Sequence, residues 1–339
     1  MKQIKNILKY VVFLGLGILL VWLSLRSLTD EDIIRIKESL KTANYTYLAL
    51  AILAGLFSHV VRAIRWNMLI QPLNHSPKLP NTIMAVIVGY LANIAVPRLG
   101  EVTRCGVLNK YEKVPIESGI GTVITERILD SLMLLSLFVF ILIVQFDIFY
   151  STFEKNILNP LSSKVGGVTN LIIIIAVAGF ISMAVLYVFY VKFIKKNKDN
   201  SSQEESKFKS IINRFMKGVI SVKDVKNKPL FITLTIGIWM VYSLSTYFSY
   251  RVLAETAHLG FTESLALVVW TAFGYIIVQG GVGAVQIICM EVLFLYGVER
   301  SFGLTMGWIS WLSQTAAIVV FGLLSLVILP IYNRDKKIN

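Results

Sequence analysis

Nine long apolar segments dominate this sequence of 339 residues and constrain its fold more than any other feature. They lie at 8–28, 46–70, 82–97, 117–146, 167–192, 230–254, 264–280, 284–298 and 304–331. A transmembrane helix needs about 20 mainly apolar residues, and a bilayer solvates apolar side chains that a soluble protein would have to cover. Because 55% of the residues are hydrophobic and only 16% are charged, we predict an all-α, polytopic helical membrane protein.

Three of these segments, 82–97, 264–280 and 284–298, are too short for a full crossing, and Pro or Gly interrupts them. We therefore expect about six to eight transmembrane helices, with one or two short segments that are broken or re-entrant. The loop at 193–229 is rich in lysine and arginine, as are both termini, and such segments are typically cytoplasmic. Four full crossings before this loop, with 82–97 entering and turning back, place the loop on the same side as the N-terminus.

The loop at 193–229 also divides the chain. We predict a first membrane half at 1–192, a cytoplasmic basic linker with an amphipathic helix at 193–229, and a second membrane half at 230–339. The apolar residues of the amphipathic helix recur at helical spacing from Phe208 to Val222. The N-terminal segment has a basic start and an apolar stretch long enough to span, so it is interpreted as a signal anchor. We assign the net charge of +13 to contact with anionic lipid rather than with nucleic acid.

Two short stretches in the two halves resemble each other. GYLANIAVPRLGEVTR begins at residue 89 and GYIIVQGGVGAVQII at residue 274, and both break at small or helix-breaking residues. Corresponding broken segments in two halves of a transporter are typical of a binding site near the membrane midplane. If the first enters from the cytoplasm and the second from outside, the halves form an inverted repeat. The sequence leaves open whether 264–298 crosses twice or dips as a hairpin.

Charged residues occur inside or beside these apolar segments, where ionised groups are costly unless they face each other or a wet cavity. The first group follows the break at residue 97, and the second lies in the next helix: Arg98, Glu101, Arg104, Glu126, Arg127 and Asp130. Within the helix we expect Arg127 to pair with Asp130, whereas Glu126 needs another cation, which Arg98 or Arg104 would supply. These charges either form a structural network of salt bridges or bind an anionic or zwitterionic headgroup, and arginine suits phosphate.

Other polar residues carry weaker signals. Arg62 and Arg65 are interpreted as anchors at the cytoplasmic end of the second helix. In the second half, Gln279, Gln286 and Glu291 are candidate polar contacts, and Glu291 would meet Arg127. The three histidines are scattered and Cys105 is far from Cys289 in sequence. We therefore predict no metal site, no cofactor and no catalytic residue.

These residues together resemble the lysylphosphatidylglycerol synthase transmembrane-domain family, also called flippase-like. The resemblance covers essentially the whole chain and rests on Asn93, Pro97, Gly100, Glu101, Arg104, Glu126, Arg127, Asp130, Gly280, Gly281 and Gly283. Many members have Pro before the Gly-Gly pair and Glu after the last Gly, where this sequence has Gln279 and Gln286. The resemblance implies a multi-pass inner-membrane protein, some relatives of which move aminoacylated phospholipid between leaflets. It also implies that Asn93, Pro97, Gly100 and the three later glycines form turns or gates.

On this basis we expect a protein that is not an enzyme and that binds and translocates a phosphate-bearing lipid. The substrate would be a phospholipid, an aminoacyl-phospholipid or a lipid-linked glycan, and the sequence contains no nucleotide-binding motif. One alternative is a non-catalytic membrane partner of a lipid-modifying or glycosyl-transferring enzyme. Another is a membrane enzyme whose site is assembled only in three dimensions.

Overall fold

The computed structural model describes residues 29–96, 98–153 and 221–334, and these residues form ten α-helices and no β-strand. In chain order the helices are α1 (Asp30–Lys41), α2 (Tyr45–Ile70), α3 (Leu79–Ala95), α4 (Leu99–Glu112), α5 (Ile116–Val144), α6 (Phe146–Phe153), α7 (Lys228–Tyr250), α8 (Phe261–Ile277), α9 (Ala284–Leu295) and α10 (Arg300–Tyr332). Four segments are long and apolar enough to cross a membrane: Tyr45–Leu73, Ile116–Val144, Lys228–Tyr250 and Arg300–Tyr332. The all-α membrane fold is confirmed. The predicted segments 8–28 and 167–192, and nearly all of the amphipathic helix, lie outside the described residues.

The described residues up to Val139 and those from Ser221 onward belong to one compact unit. The unit therefore contains residues from both predicted membrane halves. Residues 140–153 belong to a second unit and comprise the end of α5 and all of α6. The division of the chain at 193 and 230 stays a prediction.

Local sequence explains where the long helices begin. The Asn44 side chain accepts a hydrogen bond from the Thr46 amide at 3.2 Å, which caps α2. The Asn227 side chain caps α7 in the same way by accepting from the Leu230 amide at 3.0 Å. Proline occupies the first turn of α3 and of α7, where a missing amide hydrogen has no cost.

Helices α3 and α4 form an antiparallel pair, which we call the first hairpin. The turn contains Arg98 in a left-handed conformation, with φ of 61°. Just beyond the turn, the Gly100 amide donates to Asn93 Oδ1 at 2.7 Å, and Gly100 packs so closely on the Gly89 carbonyl that a side chain would not fit. At the other end of the pair, Asn81 donates a hydrogen bond to Glu112. The chain therefore reverses after residue 96, as the short segment 82–97 predicted.

Helices α8 and α9 form a second hairpin of the same kind. Gly274 of α8 packs against Ile288 of α9, close to the turn. Three glycines of the turn, Gly280, Gly281 and Gly283, have φ between 71° and 77°, which a residue with a side chain rarely adopts. The GGVG stretch therefore lies at the tip of a helical hairpin rather than inside a spanning helix.

The two hairpins open toward opposite ends of α10. Asn333, which follows α10, exchanges side-chain hydrogen bonds of 2.9 and 2.8 Å with Asn81 at the base of the first hairpin. Arg300, the first residue of α10, pairs with Glu291 of the second hairpin at 3.0 Å. We call these two ends of α10 the Asn333 end and the Arg300 end.

The two tips approach each other from these opposite ends. The Trp311 indole donates to the Gly280 carbonyl at 2.7 Å, and the turn of the second hairpin contacts α3. Leu91, near the tip of the first hairpin, packs against Gly322 of α10. At 1.5 Å per residue, each tip lies about 17 Å along α10 from its own end. This opposite orientation agrees with the predicted inverted repeat.

Candidate functional site

Two carboxylates on α5 lie at the centre of the candidate site. Glu126 and Asp130 are four residues apart and so occupy one face of the helix. The Glu126 side chain is fully buried and that of Asp130 is 13% exposed. Two like charges this close and this deeply buried require cations from neighbouring helices.

Helix α2 supplies two of these cations. Arg62 Nη1 lies 2.8 Å from Asp130 Oδ2, and its Nη2 donates to the Tyr242 hydroxyl of α7 at 3.1 Å. Arg65 Nη2 lies 2.8 Å from Asp130 Oδ1 and 3.2 Å from Glu126 Oε1. Both arginines are buried, so their interpretation as cytoplasmic anchors is wrong. Helix α2 continues to Ile70, and both residues therefore lie more than one turn inside its end.

Helix α4 supplies the third cation, as the sequence suggested for Glu126. Arg104 Nη2 lies 2.6 Å from Glu126 Oε2. Its guanidinium group stacks over the Trp66 ring, 4.5 Å from the ring centre. The Trp66 indole in turn donates to the Thr122 hydroxyl at 2.9 Å, so α2 and α5 together position Arg104. We call Arg62, Arg65, Arg104, Glu126 and Asp130 the charge cluster.

Arg127 lies outside this cluster. It pairs with Glu101 of the first hairpin at 2.7 Å, and the two side chains are 48% and 25% exposed. The expected pair of Arg127 with Asp130 is therefore not formed. One residue along a helix is a rotation of about 100°, so Arg127 projects from a different face than Glu126. The Arg127–Glu101 pair instead joins α5 to α4 at the edge of the cluster.

Two other predicted residues of this region are not brought into the cluster. Arg98 is exposed at the tip of the first hairpin, and no ion pair to it is found in the described part of the chain. Asn93 holds the turn through its bond to Gly100 and has a structural role. Pro97 lies outside the described residues.

The charge cluster contains one more cation than anions, since three arginines face two carboxylates. Among the described residues, Arg62 Nε and both Nε and Nη1 of Arg65 are buried without a hydrogen-bond partner. A buried donor that lacks a hydrogen bond costs about 1–3 kcal/mol. The cluster is therefore suited to an additional anionic group.

The second half contributes a neutral tip. Gly280, Gly281 and Gly283 form the turn together with Gln279, and Gln286 is fully buried in α9. Both amide atoms of Gln286 have no partner among the described residues. Glu291 does not meet Arg127, because α9 runs toward the Arg300 end, where Glu291 pairs with Arg300.

Sequence reasoning missed His59 and Tyr242 as neighbours of the cluster. The His59 ring lies 4.4 Å from the Tyr90 ring of the first hairpin, and its Nδ1 is buried without a partner among the described residues. The spacing of His59, Arg62 and Arg65 by three residues was a signal for a polar helix face. In the described residues, no group of three His, Cys, Asp or Glu side chains could hold a metal ion.

Comparisons with known proteins agree with a membrane-spanning chain. The model of the family described as the lysylphosphatidylglycerol synthase TM region matches residues 6–322. The UPF0104 membrane protein MJ1078 of Methanocaldococcus jannaschii is 28% identical over 235 residues, covering 69% of this chain and 91% of that protein. The UPF0104 membrane protein MJ1595 of the same organism is 29% identical over 111 residues, covering 32% of this chain and 33% of that protein. No solved structure matches the chain.

Proposed function

The chain belongs to the lysylphosphatidylglycerol synthase TM region family, and from that premise we propose that it binds the headgroup of a phosphate-bearing lipid in the charge cluster. We propose further that it moves this lipid between leaflets. The headgroup enters the polar interior while the acyl chains stay in the bilayer. Phospholipid, aminoacyl-phospholipid and lipid-linked glycan share the phosphate on which this recognition depends.

The single observation that carries the proposal is the excess positive charge of the cluster. Arg62 and Arg65 are buried, yet three of their donor nitrogens have no partner among the described residues. A phosphate group supplies several acceptor oxygens and a negative charge, and the planar fork of arginine matches phosphate geometry. Phosphate binding would compensate the charge that Glu126 and Asp130 leave unpaired.

The distribution of charges supports an orientation in a cell membrane. The Asn333 end is rich in basic residues: Lys78, Lys110, Lys113, Lys223, Lys226, Lys228 and Arg334. At the Arg300 end acidic residues outnumber basic ones, and they include Asp30, Glu31, Asp32, Glu38, Glu255, Glu263, Glu291 and Glu299. By the positive-inside rule, the Asn333 end is cytoplasmic. In this orientation the cluster lies nearer to the cytoplasmic side, since Arg65 is only five residues from Ile70, the last residue of α2.

The test compares wild type with Arg62→Gln in proteoliposomes. This variant leaves two arginines facing two carboxylates, so the cluster becomes neutral without losing either carboxylate. We expect movement of a fluorescent short-chain phospholipid to fall at least tenfold, since one charged hydrogen-bond donor contributes about 1.5–3 kcal/mol. The amount of phospholipid that co-purifies with the protein, measured by mass spectrometry, should fall in parallel.

Arg35→Gln is the matched control, because Arg35 is an exposed arginine that pairs with Glu31 and Glu299. It should translocate lipid like wild type. If Arg62→Gln inserts, keeps its unfolding temperature within a few degrees and still moves lipid at the wild-type rate, the headgroup site is wrong. Translocation that is absent in wild type, together with a stably co-purifying enzyme, would instead favour the role of a membrane partner protein.

A further inference from the structure

A polar face of α2 continues beyond the charge cluster toward the Arg300 end. Going back from Arg65, the buried residues at spacings of three or four are Arg62, His59 or Ser58, and Gly55. The face ends near Ala51, so it extends about 21 Å along the helix axis at 1.5 Å per residue. Leu53 and Phe57, on another face of the same helix, are more than half exposed and apolar.

This polar face is unusual for a helix that crosses a bilayer. Polar side chains at membrane depth are costly, and they commonly line a water-filled cavity or a path for ions or substrates. Among the described residues, His59 Nδ1 and Arg62 Nε are buried without partners. A structural role alone would leave these hydrogen-bonding atoms unsatisfied, whereas a passing polar group or water would satisfy them.

Gln314 of α10 closes this face at its end near Ala51. Its side-chain amide donates to the Ala51 carbonyl at 3.0 Å and to the Ser245 hydroxyl of α7 at 3.2 Å. The same amide lies directly over Gly55, where even a methyl side chain would overlap its atoms. The glycine at residue 55 therefore leaves the space in which the Gln314 amide bridges α2, α7 and α10.

We propose that the polar face of α2 is the path of the phosphate-bearing headgroup beyond the charge cluster, and that the Gln314 amide is the gate at its far end. This inference rests on the proposed function and specifies the route that the headgroup takes through the protein. The path changes from fully charged at Arg62 and Arg65 to neutral at Ser58, whose hydroxyl donates to the Gly55 carbonyl at 2.5 Å. A site that binds an anion must also let it leave, and neutral hydrogen-bonding groups hold phosphate more weakly than arginine does.

The experiment measures the accessibility of single cysteines on two neighbouring positions. Ser58→Cys lies on the polar face, and Phe57→Cys is the matched control on the exposed apolar face. The native Cys105 and Cys289 are both buried, so their background reaction is expected to be small. The probe is a charged, membrane-impermeant thiol reagent applied from the Arg300 side of reconstituted vesicles.

With Gln314 present, Ser58→Cys should react slowly. Combined with Gln314→Ala, it should react at least tenfold faster, because the amide no longer covers Gly55. Phe57→Cys should stay unreactive in both backgrounds, since acyl chains exclude a charged reagent. Gly55→Ala, which displaces the same amide, is the second variant and should accelerate the reaction in the same direction.

An unchanged rate at Ser58→Cys in both opened variants, in protein that is monodisperse and unfolds at the wild-type temperature, would overturn the path and the gate. Failure of the headgroup site gives a different result. If the headgroup site is wrong, Arg62→Gln binds as much lipid as wild type, whatever the rate at which the cysteine at residue 58 reacts. The path stands when opening at residue 314 raises reactivity while the amount of lipid bound at the cluster stays at the wild-type level.

Discussion

Arginine has different roles at different positions in this protein, and its surroundings decide which. Arg65 is completely buried and contacts both Glu126 and Asp130. Arg127 and Arg35 are about half exposed, and their ion pairs lie at the protein surface. Water and salt screen an exposed pair, so it contributes about 0–1 kcal/mol. A buried pair contributes little net stability, but loss of one partner leaves the other charge uncompensated.

We therefore predict that Arg65→Ala lowers the free energy of unfolding by about 3–5 kcal/mol, because truncating this completely buried side chain leaves a cavity and removes its contacts with Glu126 and Asp130. Arg35→Ala should lower it by no more than about 1 kcal/mol. Thermal unfolding of both variants in the same detergent measures the difference. Equal unfolding temperatures for the two variants would contradict the burial and charge pairing described for Arg65.

At the scale of helices, the close approach of α3 and α4 depends on a residue without a side chain. Gly100 packs against the Gly89 carbonyl and Asn93, whereas Gly106, two turns further along α4, has nothing within 4 Å of the position a side chain would take. Replacing each of these glycines by alanine therefore distinguishes the effect of hairpin packing on stability from the effect of helix propensity.

Gly100→Ala should destabilise the protein by about 1–3 kcal/mol, the usual cost of overpacking an interior contact. Gly106→Ala should be neutral or stabilise it by up to about 1 kcal/mol, since alanine is the better helix former. Unfolding of the two variants in parallel provides the measurement. A stable Gly100→Ala protein would mean that the first hairpin is more open than described.

The Arg127–Glu101 pair joins the first hairpin to α5, and we predict that a charge swap preserves this connection. Glu101→Arg alone places two like charges together and should reduce stability. The double variant Glu101→Arg with Arg127→Glu should recover most of the loss, which a double-mutant cycle on unfolding temperatures measures. Absence of any coupling would show that this exposed pair does not hold α4 against α5.

At the scale of the whole molecule, the two hairpins have their bases at opposite ends of α10, so we expect these bases to be accessible from opposite sides of the membrane. Ser76 lies just before the first hairpin and His258 just before the second, and both are exposed. The basic residues near Ser76 support our proposal that this side is cytoplasmic.

We predict that Ser76→Cys reacts with an impermeant thiol reagent only from the cytoplasmic side, and His258→Cys only from the opposite side. Labelling of intact cells and of inverted membrane vesicles distinguishes the two. Reaction of both cysteines from the same side would exclude the inverted arrangement of the hairpins, although it would leave the charge cluster itself unaffected.

Within the described residues, the sequence alone determined where the membrane helices lie. The segments predicted at 46–70, 230–254 and 304–331 correspond to helices Tyr45–Ile70, Lys228–Tyr250 and Arg300–Tyr332. Hydropathy is a property of each residue, and a membrane-spanning helix must be apolar along its length. The bounds of such a helix can therefore be predicted from the sequence alone. The break near residue 97 and the glycine turn near residue 280 were readable for the same reason, because proline and glycine act on their own backbone.

Only the tertiary structure decided which charges meet. The sequence offered Arg98 or Arg104 as partners of Glu126, and the fold selects Arg104 and adds Arg65 from a helix more than fifty residues away. It also removes Arg127 from the cluster and brings Gln314 over Gly55. These pairings depend on the rotation and depth of helices that are distant in the chain, and no local pattern encodes those quantities.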